Sequence, residues 1–183
     1  MSRPDEKPVR RFEAAEETLK FEIELFWKRS VFFWGFIAAA FVAFSSLYNK
    51  EQPLLVTMIA CFGFICSFAW TLVNRGSKYW QDNWQQKLAR EATDYFGEES
   101  YFFDHAPVPG QGSWLRGRPF SVSKLTIALS DFTVVVWSLL LLWLMIGPKD
   151  LPVEPAKIAL AAISLSFAVL MFVCGRSSGA RRR

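Results

Sequence analysis

The sequence predicts an all-α polytopic membrane protein with four transmembrane helices, the first two extended into the cytosol. Three observations carry this. Apolar stretches fall at about 30–48, 54–74, 125–147 and 156–175, each near the ~20 residues a helix needs to cross ~30 Å of hydrocarbon. Of the 21 Lys and Arg residues, 18 precede the first stretch, separate the second from the third, or follow the fourth. The first–second and third–fourth connections are short, so each pair forms an antiparallel hairpin.

The elements follow in order. Residues 1–11 are polar with two prolines and predict a disordered lead-in. From Phe12 to Arg29 the pattern turns helical: Phe12, Ala15, Leu19, Ile23 and Phe26 recur at spacings of three and four, while Glu13, Glu17, Lys20, Glu24 and Lys28 take other faces. No helix breaker separates this run from the first span, so one helix is expected over 12–48. Trp27 and Tyr48 stand at its two membrane interfaces, as aromatic belts do. The first span is too rich in Trp and Phe, and too deep in the chain, for a cleaved signal, and reads as a retained helix.

After the turn Asn49–Pro53, span two covers 54–74. A cytosolic region over 75–124 follows. Its first part, Ser77–Phe96, is helical, with Trp80, Trp84, Leu88, Ala92 and Tyr95 on one face, and Gly97 is placed to terminate it. Gly76 either hinges this helix against span two or is absorbed into one long helix. Residues 97–120 hold Pro107, Pro109, Gly110, Gly112, Gly117 and Pro119, the turn chemistry of a loop. Its aromatics (Tyr101, Phe102, Phe103, Trp114 and Phe120) suit packing against the helices or a neighbouring subunit. Ser121 or Ser123 caps span three over 125–147. The proline-rich turn Gly147–Pro155 leads into span four over 156–175, and a basic tail occupies 176–183.

Orientation follows from the Lys and Arg residues near the span ends. Seven precede span one, seven lie between spans two and three, and four close the tail. These segments belong inside, which places both termini in the cytosol and the two hairpin turns outside. The seven bases of the N-terminal segment are balanced by seven acids, so the +4 net charge resides mainly in the tail. A nucleic-acid partner is therefore disfavoured. Anionic lipid headgroups suit the tail better, at about 1 kcal/mol per Lys or Arg near the surface.

Composition narrows the chemistry. The 52% hydrophobic and 16% aromatic content fits a membrane class. Cys61, Cys66 and Cys174 all fall in predicted spans, are odd in number and form no metal-ligand pattern with the single histidine, His105. No phosphate-cradling glycine loop, zinc-spaced Cys/His set or nucleophile elbow appears. No cofactor and no catalytic set is expected. His105, beside Asp104 in the Pro/Gly loop, is the sole candidate imidazole base, and a loop hydrogen bond is its default role.

Asp131 is the ionisable residue well inside a predicted span, which makes it a candidate polar or interface site. It lies about two helical turns from the cytosolic end, within reach of Ser130, Lys124 or interfacial water. Gly35, Ala39 and Ala43 recur every four positions on span one, as do Gly63, Ser67 and Thr71 on span two. Such patterns let helices approach closely in lipid, either within the subunit or between subunits. Phe12, Leu19, Ile23, Phe26, Trp80, Trp84 and Leu88 give the two cytosolic helices more apolar surface than two short partners obviously cover. They are candidate oligomer contacts.

Two further stretches are distinctive: Glu22–Gly35, EIELFWKRSVFFWG, and Asn74–Trp84, NRGSKYWQDNW. Together with the four-span layout, they resemble the RipA family of octameric bacterial membrane proteins. The resemblance implies a bacterial inner-membrane protein that assembles as a homo-octamer, a ring-like oligomer of eight copies, with no catalytic residues carried over. Its family name points to adaptation of an intracellular bacterium, not to a defined reaction. The expected function is a non-enzymatic scaffold or stress-adaptation complex, with a low-selectivity channel or pore as the alternative.

Overall fold

A computed structural model of the chain describes residues 6–48, 50, 52–96, 121–146 and 154–175. They form four helices and, among the described residues, no strand: α1 (Glu6–Tyr48), α2 (Pro53–Phe96), α3 (Val122–Ile146) and α4 (Pro155–Cys174). All four are long and apolar enough to cross a membrane. At 43 and 44 residues, α1 and α2 are each about twice the length that a hydrocarbon core requires.

α1 begins at Glu6, earlier than the lead-in expected over 1–11. Pro8 does not prevent this, because it falls in the first turn, where backbone N–H groups have no intrahelical acceptor. The charged part of α1 is reinforced by Glu16–Lys20 and Glu24–Lys28 pairs at 2.6 and 2.8 Å. Both have the acid N-terminal to the base, the favourable order at this spacing.

α2 starts with Pro53, whose fixed φ suits a first helical position, and Val56 N–H bonds the Gln52 carbonyl at 3.1 Å. Gly76 is absorbed into this single helix. α3 is capped by Ser121 rather than Ser123: Ser121 Oγ accepts the Lys124 N–H at 3.4 Å, while Ser123 Oγ donates to Gln81 Oε1 at 3.3 Å. α4 opens on Pro155 and closes where Gly175 N–H bonds the Met171 carbonyl at 2.8 Å.

The chain divides into two compact units. One comprises Met1–Lys28 and Gly76–Leu125. Its buried residues include Ala15, Phe26, Ser77, Gln81, Leu88 and Ala92. The small Ala15 and Ala92 allow close helix approach, and Phe26 and Leu88 supply the bulk of the apolar contact.

The other unit comprises Arg29–Arg75 and Thr126–Arg183. Its core draws Ala40 and Phe44 from α1, Val56, Ala60 and Phe64 from α2, Trp137 from α3 and Ala168 from α4. Trp137 is fully buried. Phe41 stacks on it at 4.4 Å between centroids, and Phe44 meets it edge-on at 6.0 Å. Nearer the ends of α1 and α3, Tyr48 stacks on Trp143 at 5.0 Å. Lipid tails are as apolar as these side chains, so close packing rather than burial holds such helices together.

The expected loop at 97–120, with Asp104, His105 and the terminating Gly97, lies outside the described residues, as does the basic tail.

Candidate functional site: a charged pair between α2 and α3

In α2, Gly63, Ser67, Thr71 and Arg75 stand at intervals of four and therefore share one helical face. This face is the seam against α3. At one end the indole of Trp137 covers Gly63 so closely that a β-carbon there would overlap the ring. At the other, Thr71 and Arg75 converge on Asp131. Arg75 Nη1 donates to Asp131 Oδ1 at 3.0 Å and Nη2 to Oδ2 at 2.9 Å. Thr71 Oγ1 donates to Oδ1 at 3.2 Å. The guanidinium fork matches both carboxylate oxygens, the geometry that gives Arg–carboxylate pairs their strength and direction.

Other polar groups of this unit are also matched in pairs. Asn74, buried, donates from Nδ2 to the Thr126 carbonyl at 3.5 Å. Trp70 Nε1 donates to Ser30 Oγ at the same distance, with both side chains buried. Ser130 and Thr133 return their hydroxyl protons to carbonyls of their own helix at 2.7 and 2.8 Å. Among the described residues, the buried Ser67 Oγ and Trp137 Nε1 have no hydrogen-bond partner. The α2–α3 seam thus carries polar contacts toward the Arg75 end and aromatic packing toward the Gly63 end.

Asp131 is the sequence-predicted site residue that acquires a defined partner, and that partner is Arg75, not Lys124 or Ser130. In the sequence, Arg75 is one of the seven central cations that set the orientation and lies within the Asn74–Trp84 motif. The clue to its role was the four-residue interval that continues from Gly63 through Thr71. Three donors thus converge on the Asp131 carboxylate, which serves as the acceptor that joins α3 to α2. The pair is not deeply enclosed: the Arg75 and Asp131 side chains are 51% and 42% exposed in the single subunit.

The two small-residue patterns separate. That of α2 is filled within the subunit, whereas Gly35 and Ala39 of α1 point outward and Ala43 is half-buried. A β-carbon on Gly35 would meet nothing within 4 Å. The candidate oligomer contacts divide as well. Phe26 and Leu88 are buried inside their own unit, because the helix face expected to seek a partner subunit is partly covered by the subunit itself. Phe12, Leu19 and Trp84 are half-buried, and Ile23 and Trp80 are exposed. Lys87 Nζ sits 4.5 Å from the Trp84 ring centroid, a cation–π contact.

Among the described residues, no group of three or more His, Cys, Asp or Glu side chains is placed to hold a metal ion. Comparison with known proteins gives one family match: the model of the octameric membrane protein family, 8xMP, matches residues 9–146. This covers α1, α2 and α3 from near the start of α1. Curated proteins and solved structures give no match.

Proposed function

Since the chain belongs to the octameric membrane protein family, we propose that it serves as a non-enzymatic, homo-octameric membrane scaffold. The observation that carries this reading is the character of the spans' outer surface. Phe32, Phe36 and Val42 on α1, Phe132, Leu139 and Leu142 on α3, and Leu165, Phe167 and Phe172 on α4 are all exposed. A conducting pore needs a polar or charged lining along its length. Among the exposed span hydroxyls, Ser45 and Ser166 bond carbonyls of their own helices, and the charged pair occupies one end of the α2–α3 seam. Such a surface suits lipid and neighbouring subunits better than a continuous water path.

The basic flanks support an orientation with both termini in the cytosol, and the resemblance to bacterial octameric membrane proteins supports an inner-membrane location. In that orientation the charged segments before span one and after span two belong to the cytosolic side, and the basic composition of the Arg181–Arg183 tail suits anionic headgroups. Ile23 and Trp80, both exposed, are the strongest candidate subunit contacts on those segments.

The test is conductance of the purified octamer in planar bilayers and solute flux from liposomes. Silence across voltages and ions is the expected outcome, and steady conductance overturns the scaffold reading. A second reading, a low-selectivity channel, is favoured by the half-exposed Arg75–Asp131 pair, since an ionised pair within a span normally faces water or protein. Conductance lost in Asp131→Asn, with the octamer intact, selects that reading.

A further inference from the structure

We infer that Phe132 of one subunit packs over Gly35 of the next, so that the outer face of α3 meets the outer face of α1 in the neighbouring copy. The inference rests on the homo-octameric reading above and adds the surface that forms it.

If eight copies close as a ring, each must offer two different faces, one to either neighbour. The membrane-spanning helices present two such faces of contrasting relief. On α3, Phe132, Leu139 and Ile146 recur every seven residues, with Val135 and Leu142 between them, and all are exposed. Phe132 is 62% exposed. On α1, Gly35 and Ala39 lie on the exposed side of the helix, and the position of the missing Gly35 side chain is open. One face carries knobs and the other a hollow.

Depth brings the two into register. Within the subunit, Phe41 stacks on Trp137 and Tyr48 on Trp143. Hence α1 and α3 run in the same direction, with an offset of 95 to 96 in residue number. Gly35 is therefore level with residues 130–131 of α3, one or two positions before Phe132. Helical side chains lean toward the N-terminus by about that much, which lowers the Phe132 ring to the level of Gly35. Copies related by rotation about the membrane normal keep every residue at its own depth, so the match within one subunit holds between neighbours.

Hydrophobicity alone does not favour protein over lipid here, because acyl chains are equally apolar. A close fit between knob and hollow does, because dispersion contacts across it are one of the forces that drive helix association in bilayers. A second copy is the occupant that the family's octameric assembly supplies.

The test uses the full chain with Cys61, Cys66 and Cys174 replaced by Ala, checked first for octamer by native mass spectrometry. In this background, Gly35→Cys with Phe132→Cys is oxidised with copper phenanthroline. The expected result is a ladder of covalent multimers, with each single cysteine variant remaining monomeric on denaturing gels. Dimers from Gly35→Cys alone place α1 against α1 and overturn the contact. An intact octamer without a ladder overturns it too, leaving the octameric reading in place. If the unsubstituted protein is itself not an octamer, both readings fall.

A size exchange provides the second measurement. Gly35→Leu should lose most of the octamer, and adding Phe132→Ala should restore it. The leucine meets open space in the single subunit, so helicity by circular dichroism should be unchanged. An octamer indifferent to Gly35→Leu rejects the contact.

Discussion

Trp137 of α3 lies flat against Gly63 of α2, occupying the space that any larger residue at position 63 would need. The indole is fully buried, with Phe41 stacked on it and Phe44 at its edge. One glycine thus admits a whole tryptophan side chain to the core of this unit.

Gly63→Ala should therefore destabilise the subunit by about 1–3 kcal/mol, the usual cost of overpacking a close-fitting site. Thermal unfolding in a fixed detergent, followed by circular dichroism, measures it. Gly35→Ala serves as the comparison, since its added methyl has room within the subunit, and the two variants should differ clearly in Tm.

The Arg75–Asp131 pair gives a second expectation. Both side chains are partly exposed, so in detergent the intact pair should contribute only about 1 kcal/mol. In a bilayer, Asp131→Ala leaves the Arg75 cation without its carboxylate, and the single variant should lose more stability than Arg75→Ala with Asp131→Ala. A double-mutant cycle run in both environments tests this. Equal losses for the single and double variants in lipid would count against it.

Trp70 separates packing from hydrogen bonding. Its Nε1 reaches Ser30 Oγ at the long distance of 3.5 Å, so Trp70→Phe should cost only about 0.5–1.5 kcal/mol for the lost bond, beyond a small packing term. Trp70→Ala should cost about 3–5 kcal/mol by opening a cavity. A chemical unfolding series of both variants distinguishes the two contributions.

Gly76 offers a gain. It lies inside α2, is exposed, and has nothing within 4 Å of where a side chain would start. Gly76→Ala should stabilise the helix by about 0.5–1 kcal/mol through reduced backbone freedom in the unfolded chain. A raised Tm with unchanged assembly is the expected readout.

Much of the architecture was legible because length and hydrophobicity are local properties. Four long apolar helices are present, their facing ends at Tyr48, Pro53, Ile146 and Pro155 lie within one residue of the expected hairpin boundaries, and α1 runs unbroken from Glu6. The four-residue interval from Gly63 to Thr71 marked a packing face, yet nothing local identified Trp137 as the residue that fills it. The same applies to the charged pair. Arg75 and Asp131 are 56 positions apart, and their meeting depends on the register of α3 along α2, which packing of the whole seam sets. Asp131 stood out by its unusual setting, whereas Arg75 was one of many cations at a span end. The burial of Phe26 and Leu88 within the subunit was likewise hidden, because periodicity identifies an apolar face but not the surface that covers it.

The Arg75–Asp131 pair also has a consequence in time. A chain threaded into a bilayer during synthesis delivers α2 before α3, so the guanidinium is already at the membrane when the carboxylate arrives. An isolated Asp near the middle of an inserting helix costs about 2.5–3.5 kcal/mol, and less toward its end. The bidentate partner on α2 offsets that cost only if α2 is still beside the insertion site. Acceptance of the third helix is thereby coupled to retention of the second, and biogenesis of this protein has an order written into a single ion pair.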